Sequence, residues 1–205
     1  MSQINSGFRK ILSYPKIYSA FQYIMGADKF WINFISNEIK PKAGYCILDI
    51  GCGPADILKY LPNNISYWGF DISKEYINSA KEKFGERATF ICKQIDLSDL
   101  DNMPKFDRVI LTGVFHHLDD KSCKEITKLA YLALKKGGKL ISVDPCFTSK
   151  QNFIARFLIT KDRGQNVKFN DKYKHIIDKR FRKISTKIIN KSWIPYTHCF
   201  IVCTK

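Results

Sequence analysis

Five short apolar runs alternate with segments of helical periodicity, and this alternation restricts the folds open to the chain. The runs lie at residues 47–50, 66–70, 89–92, 108–112 and 139–143. A helical pattern through Ile57, Leu58 and Leu61 follows the first run and stops at Pro62. Ser73 can cap the next helix, and a further one runs from about residue 122 to 134. Strands joined through helices form βαβ units with parallel strands and helices on both faces of the sheet. The sequence therefore predicts an α/β fold.

The chain changes character after residue 145. One or two helices are predicted there, followed by β-rich runs at 183–190 and 197–203 with no helix between them. Runs so close in sequence should pair antiparallel. The predicted fold class is a Rossmann-like doubly wound sheet of parallel strands that ends in an antiparallel hairpin.

Positive charge is concentrated in the last part of the chain. Residues 1–146 hold 20 Lys and Arg against 16 Asp and Glu, whereas residues 147–205 hold 14 against 3, a net charge of +11. Such a field could steer an anionic substrate, a nucleic acid or an acidic membrane surface. A solvated basic face without a ligand is the alternative, and the composition leaves both open.

Cysteine spacing and hydropathy bear on the compartment. The seven cysteines are scattered, and no pair has CxxC spacing, so neither a zinc site nor a disulfide framework is expected. Several lie in apolar runs, which suggests buried thiols in a reducing cytoplasm. No apolar run reaches the roughly 18 residues of a membrane span, and the N-terminus lacks the apolar core of a secretory signal.

The stretch YCILDIGCGPAD, residues 45–56, runs from an apolar strand through an acid into two glycines. In a parallel sheet, ligands bind beyond the carboxyl ends of the strands, where this motif lies. A dinucleotide fingerprint needs a third small residue where this chain has Asp56. A carboxylate there would also repel a phosphate at a helix N-terminus. The motif therefore disfavours a pyrophosphate ligand, although a simple tight turn stays open.

The spacing D-x-G-x-G-x-A resembles the first motif of class I S-adenosylmethionine-dependent methyltransferases, with Ala55 in place of the third glycine. Further landmarks of that family follow in order. In YWGFDIS the resemblance gives Asp71 the ribose hydroxyls, and in CKQIDLSDL it gives Asp96 the adenine amino group. Asp71 could also cap a helix, and Asp99 or Asp101 could be a neighbouring cap. The implied cofactor-binding residues are Asp49, Gly51, Cys52, Gly53, Asp71, Ile72, Asp96, Leu97 and Gly113.

The resemblance extends over roughly residues 40–147, since FDRVILTGVFHHLDD and LKKGGKLISVDP match the segments around the fourth and fifth strands. It implies S-adenosylmethionine as cofactor. We expect one domain over residues 1–205, with an N-terminal helical cap at 1–40 and a cofactor-binding core at 41–147. Residues 148–205 would form a basic insertion on the substrate side and the closing hairpin.

Candidate catalytic residues follow the fourth and fifth strands. His116, His117 and Asp144 lie near the place of a methyl acceptor, and a hydroxyl acceptor would need its proton removed. Related enzymes with unrelated substrates often carry histidine at this position, so a ring that packs on the cofactor or braces a loop is the alternative.

Candidate substrate residues are Tyr18, Arg163 and Tyr196. Tyr18 could cover the pocket or belong to the core. The planar fork of Arg163 suits a carboxylate or phosphate, and a salt bridge to Asp162 or Asp144 is the alternative. The segments FQYIMGADK, DRGQNVKF and WIPYTHCFIVCT are similar to a bacterial subset of small methyltransferases found with cell-surface polysaccharide or secondary-metabolite genes.

The sequence therefore predicts methyl transfer from S-adenosylmethionine to a hydroxyl or carboxylate of a small, anionic metabolite or surface-glycan or secondary-metabolite intermediate. No metal, specific nucleic acid or transmembrane segment is expected, and the location is predicted to be cytoplasmic. An RNA or other nucleic-acid methyltransferase and a non-catalytic cofactor-binding module are the alternatives. The acids at 49, 71 and 96 argue against the latter, and the absence of an N/D-P-P-Y/F motif after strand four argues against the former.

Overall fold

A computed structural model describes residues 27–162, 164–191 and 196–205 of the chain. Its longer elements, in chain order, are α1 (Ala27–Phe34), β1 (Cys46–Ile50), β2 (Ser66–Asp71), α2 (Lys74–Phe84), β3 (Thr89–Cys92), β4 (Phe106–Thr112), α3 (Asp120–Ala133), β5 (Leu134–Phe147), α4 (Phe153–Thr160), β6 (Lys168–Phe169), β7 (Lys183–Lys191) and β8 (Tyr196–Thr204). Short 3₁₀ helices occupy Asp56–Lys59, Leu97–Asn102, Phe115–His117 and Lys172–Ile176.

The described strands form one sheet in the order β3-β2-β1-β4-β5-β8-β7, and β6 pairs separately with β5. Strands β1 to β5 are parallel to one another, whereas β8 is antiparallel to both β5 and β7. The strand order reverses beside β1, because β1 pairs with β2 on one side and β4 on the other. The predicted fold class, with a parallel core and a terminal antiparallel hairpin, is confirmed.

Two apolar layers cover the sheet, one on each face. Every residue of the central strand β1 is therefore buried. On one face, Ile77 and Ala80 of α2 pack with Phe34 of α1 and with the strands. On the other, α3 packs with Tyr173 and its 3₁₀ turn. Loops, rather than these helices, lie at the carboxyl edge of the parallel strands.

Two hydrogen bonds attach the segment after β6 to this core. The Tyr173 hydroxyl donates to the Pro145 carbonyl oxygen at 2.7 Å, and the Thr127 hydroxyl donates to the Ile176 carbonyl oxygen at 3.0 Å. Both bonds are buried, so losing either would leave an unpaired polar group in the core. These bonds fix the segment after β6 to β5 and α3.

Three elements differ from the sequence-based expectation. Only the 3₁₀ helix Asp56–Lys59 follows the first glycine turn, because Ala55 has a left-handed φ of 55° and Pro62 soon ends any helix. Strand β5 is longer than predicted, since pairing with β8 continues to Pro145. The two-residue strand β6 was not predicted, and a run so short carries no periodicity.

No helix in the described part of the chain has the length and apolar character needed to cross a bilayer.

Gly51 tests whether the turn after β1 requires glycine. Its φ is +76°, and a Cβ there would lie 2.7 Å from Cγ2 of Val114. Gly137 has a φ of +78° but nothing within 4 Å of the same position, so it is a matched control. We expect Gly51→Ala to destabilise the fold by about 2–4 kcal/mol and Gly137→Ala by about 1 kcal/mol, because only the first adds a steric overlap to the backbone strain.

Urea denaturation of both variants measures these differences. Equal losses at the two positions would show that the contact with Val114 relaxes without cost.

Candidate active site at the carboxyl edge of the sheet

The turn after β1 is held against the end of β2 by backbone hydrogen bonds. The amides of Gly51 and Cys52 both donate to the Phe70 carbonyl oxygen, at 2.7 and 3.0 Å. The Gly53 amide donates to Oδ2 of Asp71 at 2.9 Å. Two glycines and an acid from the neighbouring strand are thus brought into one structure, as the sequence predicts.

Asp49 is buried beneath this turn. The Tyr67 hydroxyl donates to its Oδ2 at 2.6 Å, whereas Oδ1 has no hydrogen-bond partner among the described residues. Burial raises the pKa of Asp49 to about 7, although the bond from Tyr67 opposes this and the charge of Asp71 adds to it. A buried carboxylate oxygen without a donor favours a cationic partner.

Asp71 uses both carboxylate oxygens within the protein. Oδ1 accepts from the Ser73 amide at 2.8 Å, and the Ser73 side chain in turn caps α2 by accepting from the Tyr76 amide. Burial raises the pKa of Asp71 despite these bonds. Ser73, rather than Asp71, therefore caps α2, and Asp71 supports the cap residue from the end of β2. The ribose role that the sequence resemblance implies for Asp71 stays a prediction.

Asp96 begins the 3₁₀ helix after β3. Its side chain accepts from the Ser98 amide at 2.9 Å, and Asp99 completes a reciprocal capping box by accepting from the Asp96 amide. The bonds with Ser98 and Lys93 lower the pKa of Asp96 to about 2. The sequence left a cap at Asp99 open as an alternative, and the structure shows both acids in the cap.

Apolar side chains flank the acids at this edge. Ile72 is 50% exposed and Leu97 is 48% exposed, although both follow directly on core strands or their connections. A flat aromatic ring would remove these side chains from water. Together with the unpartnered oxygen of Asp49 and the glycine turn, they fit S-adenosylmethionine, which carries an ammonium group and an adenine ring.

His116 is clamped between two carboxylates. Its Nδ1 lies 2.8 Å from Oδ1 of Asp144, and its Nε2 lies 3.2 Å from Oδ1 of Asp162. The His116 amide also donates to Oδ1 of Asp144, at 3.1 Å. Because Asp144 belongs to β5 and Asp162 follows α4, the ring joins the sheet to the loop that contains Asp162 and residues 164–166.

That loop presses directly on the histidine. The Gly164 amide donates to Oδ1 of Asp162 at 2.9 Å, and the Asn166 amide donates to the His116 carbonyl oxygen at 2.9 Å. A Cβ at Gly164 would lie 2.0 Å from Cδ2 of His116. Glycine is the residue that this close approach allows.

The clamp favours a charged imidazolium. Burial alone would lower the pKa of His116, but the hydrogen bonds and charges of Asp144 and Asp162 outweigh it and raise the pKa to about 9. Burial raises the pKa of Asp144, and the bonds from His116, Gly164 and Tyr196 hold the pKa of Asp162 well below its usual range despite burial. A doubly bonded imidazolium leaves neither ring nitrogen available to take a proton at neutral pH.

His117 and Tyr196 lie beside the clamp. The two histidine rings are 4.0 Å apart between centroids, and His117 is buried. The Tyr196 hydroxyl donates to Oδ2 of Asp162. The Gly113 amide donates to the Val143 carbonyl oxygen at 2.8 Å, which places the loop that carries both histidines at the carboxyl edge.

A pocket of about 280 Å³ opens next to Asp162. Its lining combines apolar side chains with one carboxylate and consists of Phe147, Ile159, Thr160, Asp162, Gly164, Gln165 and Val167. The size approaches the roughly 300 Å³ at which small-ligand pockets begin. The pocket is therefore a candidate acceptor site, separated from the glycine turn by the loop that carries His116.

The sequence suggested the two histidines, Asp144 and Tyr196 as candidates, and the structure brings them together, but Asp162 was considered only as a possible partner of Arg163. The signal was the order acid, then glycine, in a loop just after a helix. The predicted substrate residues Tyr18 and Arg163 lie outside the described residues, so their roles stay predictions. The described ranges contain no group of three or more His, Cys, Asp or Glu side chains that could hold a metal ion.

Known methyltransferases are similar to this chain in sequence. Residues 47–138 match the family of methyltransferase domains. An uncharacterized methyltransferase of Anoxybacillus flavithermus is 30% identical over 131 residues, which cover 63% of this chain and 61% of that protein. One from a Geobacillus species is 30% identical over 132 residues, with the same shares of 63% and 61%. The match thus covers about three fifths of the length of these curated relatives.

Solved structures share the fold. A S-adenosylmethionine-dependent methyltransferase from Archaeoglobus fulgidus superposes with a TM-score of 0.72 at 17% identity, covering 92% of this chain and 99% of that one. Human N-acetylserotonin methyltransferase, solved in complex with S-adenosylmethionine, gives a TM-score of 0.59 at 21% identity over 78% of this chain and 47% of that one.

The pKa of Asp49 predicts how ligand affinity changes with pH. A cation at this carboxylate needs the ionised form, which the unliganded protein reaches only as pH rises through about 7. We expect affinity for S-adenosylmethionine to increase up to about tenfold per pH unit between 5.5 and 7 and to level off above. Tyr67→Phe removes a bond that lowers this pKa and should move the midpoint upward.

Calorimetry across this pH range measures both midpoints. A profile that is flat in the wild type, or that Tyr67→Phe leaves unchanged, would show that Asp49 does not hold the cation.

The His116 clamp predicts a loss of stability at high pH. Its folded-state pKa of about 9 exceeds the usual 6.5, so the imidazolium contributes fully below about pH 6.5 and is lost as pH rises through 9. Asp162→Asn removes one of the two charges that raise this pKa. We expect the wild type to lose on the order of 2 kcal/mol more unfolding free energy than the variant between pH 6.5 and 9.5.

Urea titrations at both pH values test this. Parallel pH dependence in the two proteins would mean that His116 is neutral in the folded state.

Proposed function

We propose that this chain, which its domain match, relatives and fold place among the class I S-adenosylmethionine-dependent methyltransferases, methylates a hydroxyl group of a small-molecule acceptor. The observation that carries the proposal is the meeting of two sites at one sheet edge. The turn at Gly51–Gly53 and Asp49 form one, and the pocket beside Asp162 forms the other. His116 lies between them.

The cofactor-side residues have separable roles. Asp49 would hold the amino group through its unpartnered Oδ1, and Asp71 would accept from the ribose hydroxyls through lone pairs that Gly53 and Ser73 leave unused. Ile72 and Leu97 would cover the adenine ring. When bound, S-adenosylmethionine supplies a methyl group already activated by its sulfonium, so the protein mainly has to align the acceptor.

Asp162 is the group best placed to orient a hydroxyl acceptor. It lines the pocket, and Oδ2 can accept a second hydrogen bond beside that from Tyr196. The hydroxyl oxygen becomes strongly acidic as it gains a methyl group, so even a weak base such as this carboxylate can receive its proton. Asp144 is fully buried behind His116, which suits it to positioning rather than to contact with an acceptor.

The charge of the clamp favours a hydroxyl over a carboxylate acceptor. One imidazolium faces two carboxylates, so the group carries net negative charge whenever Asp144 and Asp162 are both ionised. An acceptor carboxylate would meet this charge at close range, which costs binding energy. A hydroxyl donates instead, and anionic groups elsewhere on the acceptor could lie against the basic tail.

Two features support a small molecule over a nucleic acid. The pocket is near the lower limit for small ligands, and no nucleic-acid recognition motif accompanies the basic tail. The narrower sequence resemblance adds surface-glycan or secondary-metabolite intermediates as the niche to search. The cytoplasmic location and the three-part division at residues 40 and 147 belong to the same proposal.

Cofactor binding and turnover of pooled acceptors test the proposal together. Asp71→Ala should weaken S-adenosylmethionine by about 1.5–3 kcal/mol in calorimetry, the usual scale for a hydrogen bond to a charged group. Glu82→Ala is the matched control, because it removes an exposed acid from α2 without touching the site. Mass spectrometry should show methyl transfer to hydroxylated acceptors, such as sugars and phenols. Simple carboxylic acids should not be methylated.

Unchanged affinity in Asp71→Ala would contradict the cofactor assignment. Efficient methylation of a carboxylate or of an oligonucleotide would contradict the acceptor assignment while leaving the cofactor site intact.

A further inference from the structure

Helix α4 exposes large apolar side chains to water. Phe153 is 77% exposed, Phe157 is 59% exposed and Ile154 is 43% exposed, whereas Ala155 and Ile159 on the opposite side are buried against the protein. The helix packs on β5 and β8 through that buried side. Its outer side is therefore an exposed apolar face, defined by residues 153, 154 and 157, on a helix whose inner side is packed against the protein.

Basic side chains border this face. Lys150 precedes the helix, and Arg156 and Lys161 are exposed along it. The Arg156 guanidinium lies 5.3 Å from the ring centroid of Phe147, and the Lys161 ammonium lies 5.5 Å from that of Phe157. Cations and aromatic rings thus share one surface rather than occupying separate sides of the helix.

Acidic residues are scarce in the sequence around this face. Residues 147–169 contain five Lys and Arg and a single acid, Asp162. That acid is half-buried and bonded to His116, Gly164 and Tyr196, so it does not neutralise the surface. The combination of exposed phenylalanines with unopposed cations is typical of helices that lie in the interface of an anionic bilayer.

We propose that α4 docks this protein onto an anionic lipid surface. The apolar face would enter the boundary between headgroups and acyl chains, while Lys150, Arg156 and Lys161 contact lipid phosphates. A second copy of the chain is disfavoured as occupant, because two segments of net charge +11 would be opposed. A nucleic acid is disfavoured because the aliphatic Ile154 offers neither stacking nor hydrogen bonding.

The proposal gives the neighbouring pocket a defined position. Ile159 and Thr160 of the same helix line it, as does Phe147 under the Arg156 guanidinium. Docking would bring the pocket to within about one helix diameter, roughly 10–12 Å, of the lipid surface. This consequence rests on the proposed function, whereas the docking itself does not.

Co-sedimentation of the full chain with vesicles tests the docking. Binding to phosphatidylcholine vesicles with 30 mol% phosphatidylglycerol should exceed binding to pure phosphatidylcholine at least tenfold and should fall in 0.5 M NaCl. Phe153→Ser with Phe157→Ser should reduce binding to the anionic vesicles at least tenfold, because the apolar contact is lost. Neither phenylalanine lines the pocket, so this variant should keep the wild-type affinity for S-adenosylmethionine.

A charge-matched pair separates the face from the net charge of the protein. Arg156→Gln with Lys161→Gln should weaken binding about 25-fold, or about fivefold per basic residue near a charged surface. Lys74→Gln with Lys81→Gln removes two exposed charges from α2, at the other end of the sheet, and should change binding less than threefold.

Three outcomes would overturn the proposal. Equal losses in the two charge-matched pairs would show that only overall charge attracts the vesicles. No binding to anionic vesicles, with a dimer that the phenylalanine variant converts to a monomer, would make the face a self-association surface. Tighter binding to single-stranded RNA than to vesicles, lost in the phenylalanine variant, would make it a nucleic-acid platform. In each case cofactor binding by the same samples reports separately on the proposed function.

Discussion

The pairing of one buried histidine with two carboxylates connects the halves of this site. Asp144 comes from a strand of the parallel core, Asp162 from the loop after α4, and His116 from the loop between them in space. Taking such charges out of water is costly, so the arrangement gains little net stability and much more definition of geometry. It fixes where the segment after α4 lies relative to the loop that carries His116.

The sequence predicted the parts of the fold and site that depend on local pattern. Each core strand has an apolar run, and Asp49 and Asp71 are recognisable because they end neighbouring strands at the family spacing. Tyr67 was not recognised, because its bond to Asp49 depends on the register that aligns β1 with β2. Asp162 was missed for the same reason. Its partner is defined by how the tail returns to the sheet, which no short-range pattern encodes.

The positive charge of residues 147–205 likewise could not be interpreted from the sequence alone. The count of basic residues left a ligand-steering field and a solvated basic face equally open, since it contains no information on neighbours. In the structure, Lys168 pairs with Asp120 and Arg180 pairs with Asp178, so part of the excess is internally compensated. The cations beside the exposed phenylalanines of α4 are distinguished only by their position. Ion pairing and position, rather than composition, separate the two groups.

The direction of β8 has a consequence for how such a protein can diversify. Because β8 is antiparallel to β5, its first residue, Tyr196, lies at the edge where the parallel strands end. The elements between residues 148 and 182, which we propose to lie on the acceptor side, therefore connect β5 to the β7–β8 hairpin, while the proposed cofactor-binding residues lie on β1 to β4 and the loops after them. Under the proposed function, evolution could exchange that intervening segment for another, and so change the molecule that is methylated, without disturbing the register of the strands that hold the cofactor.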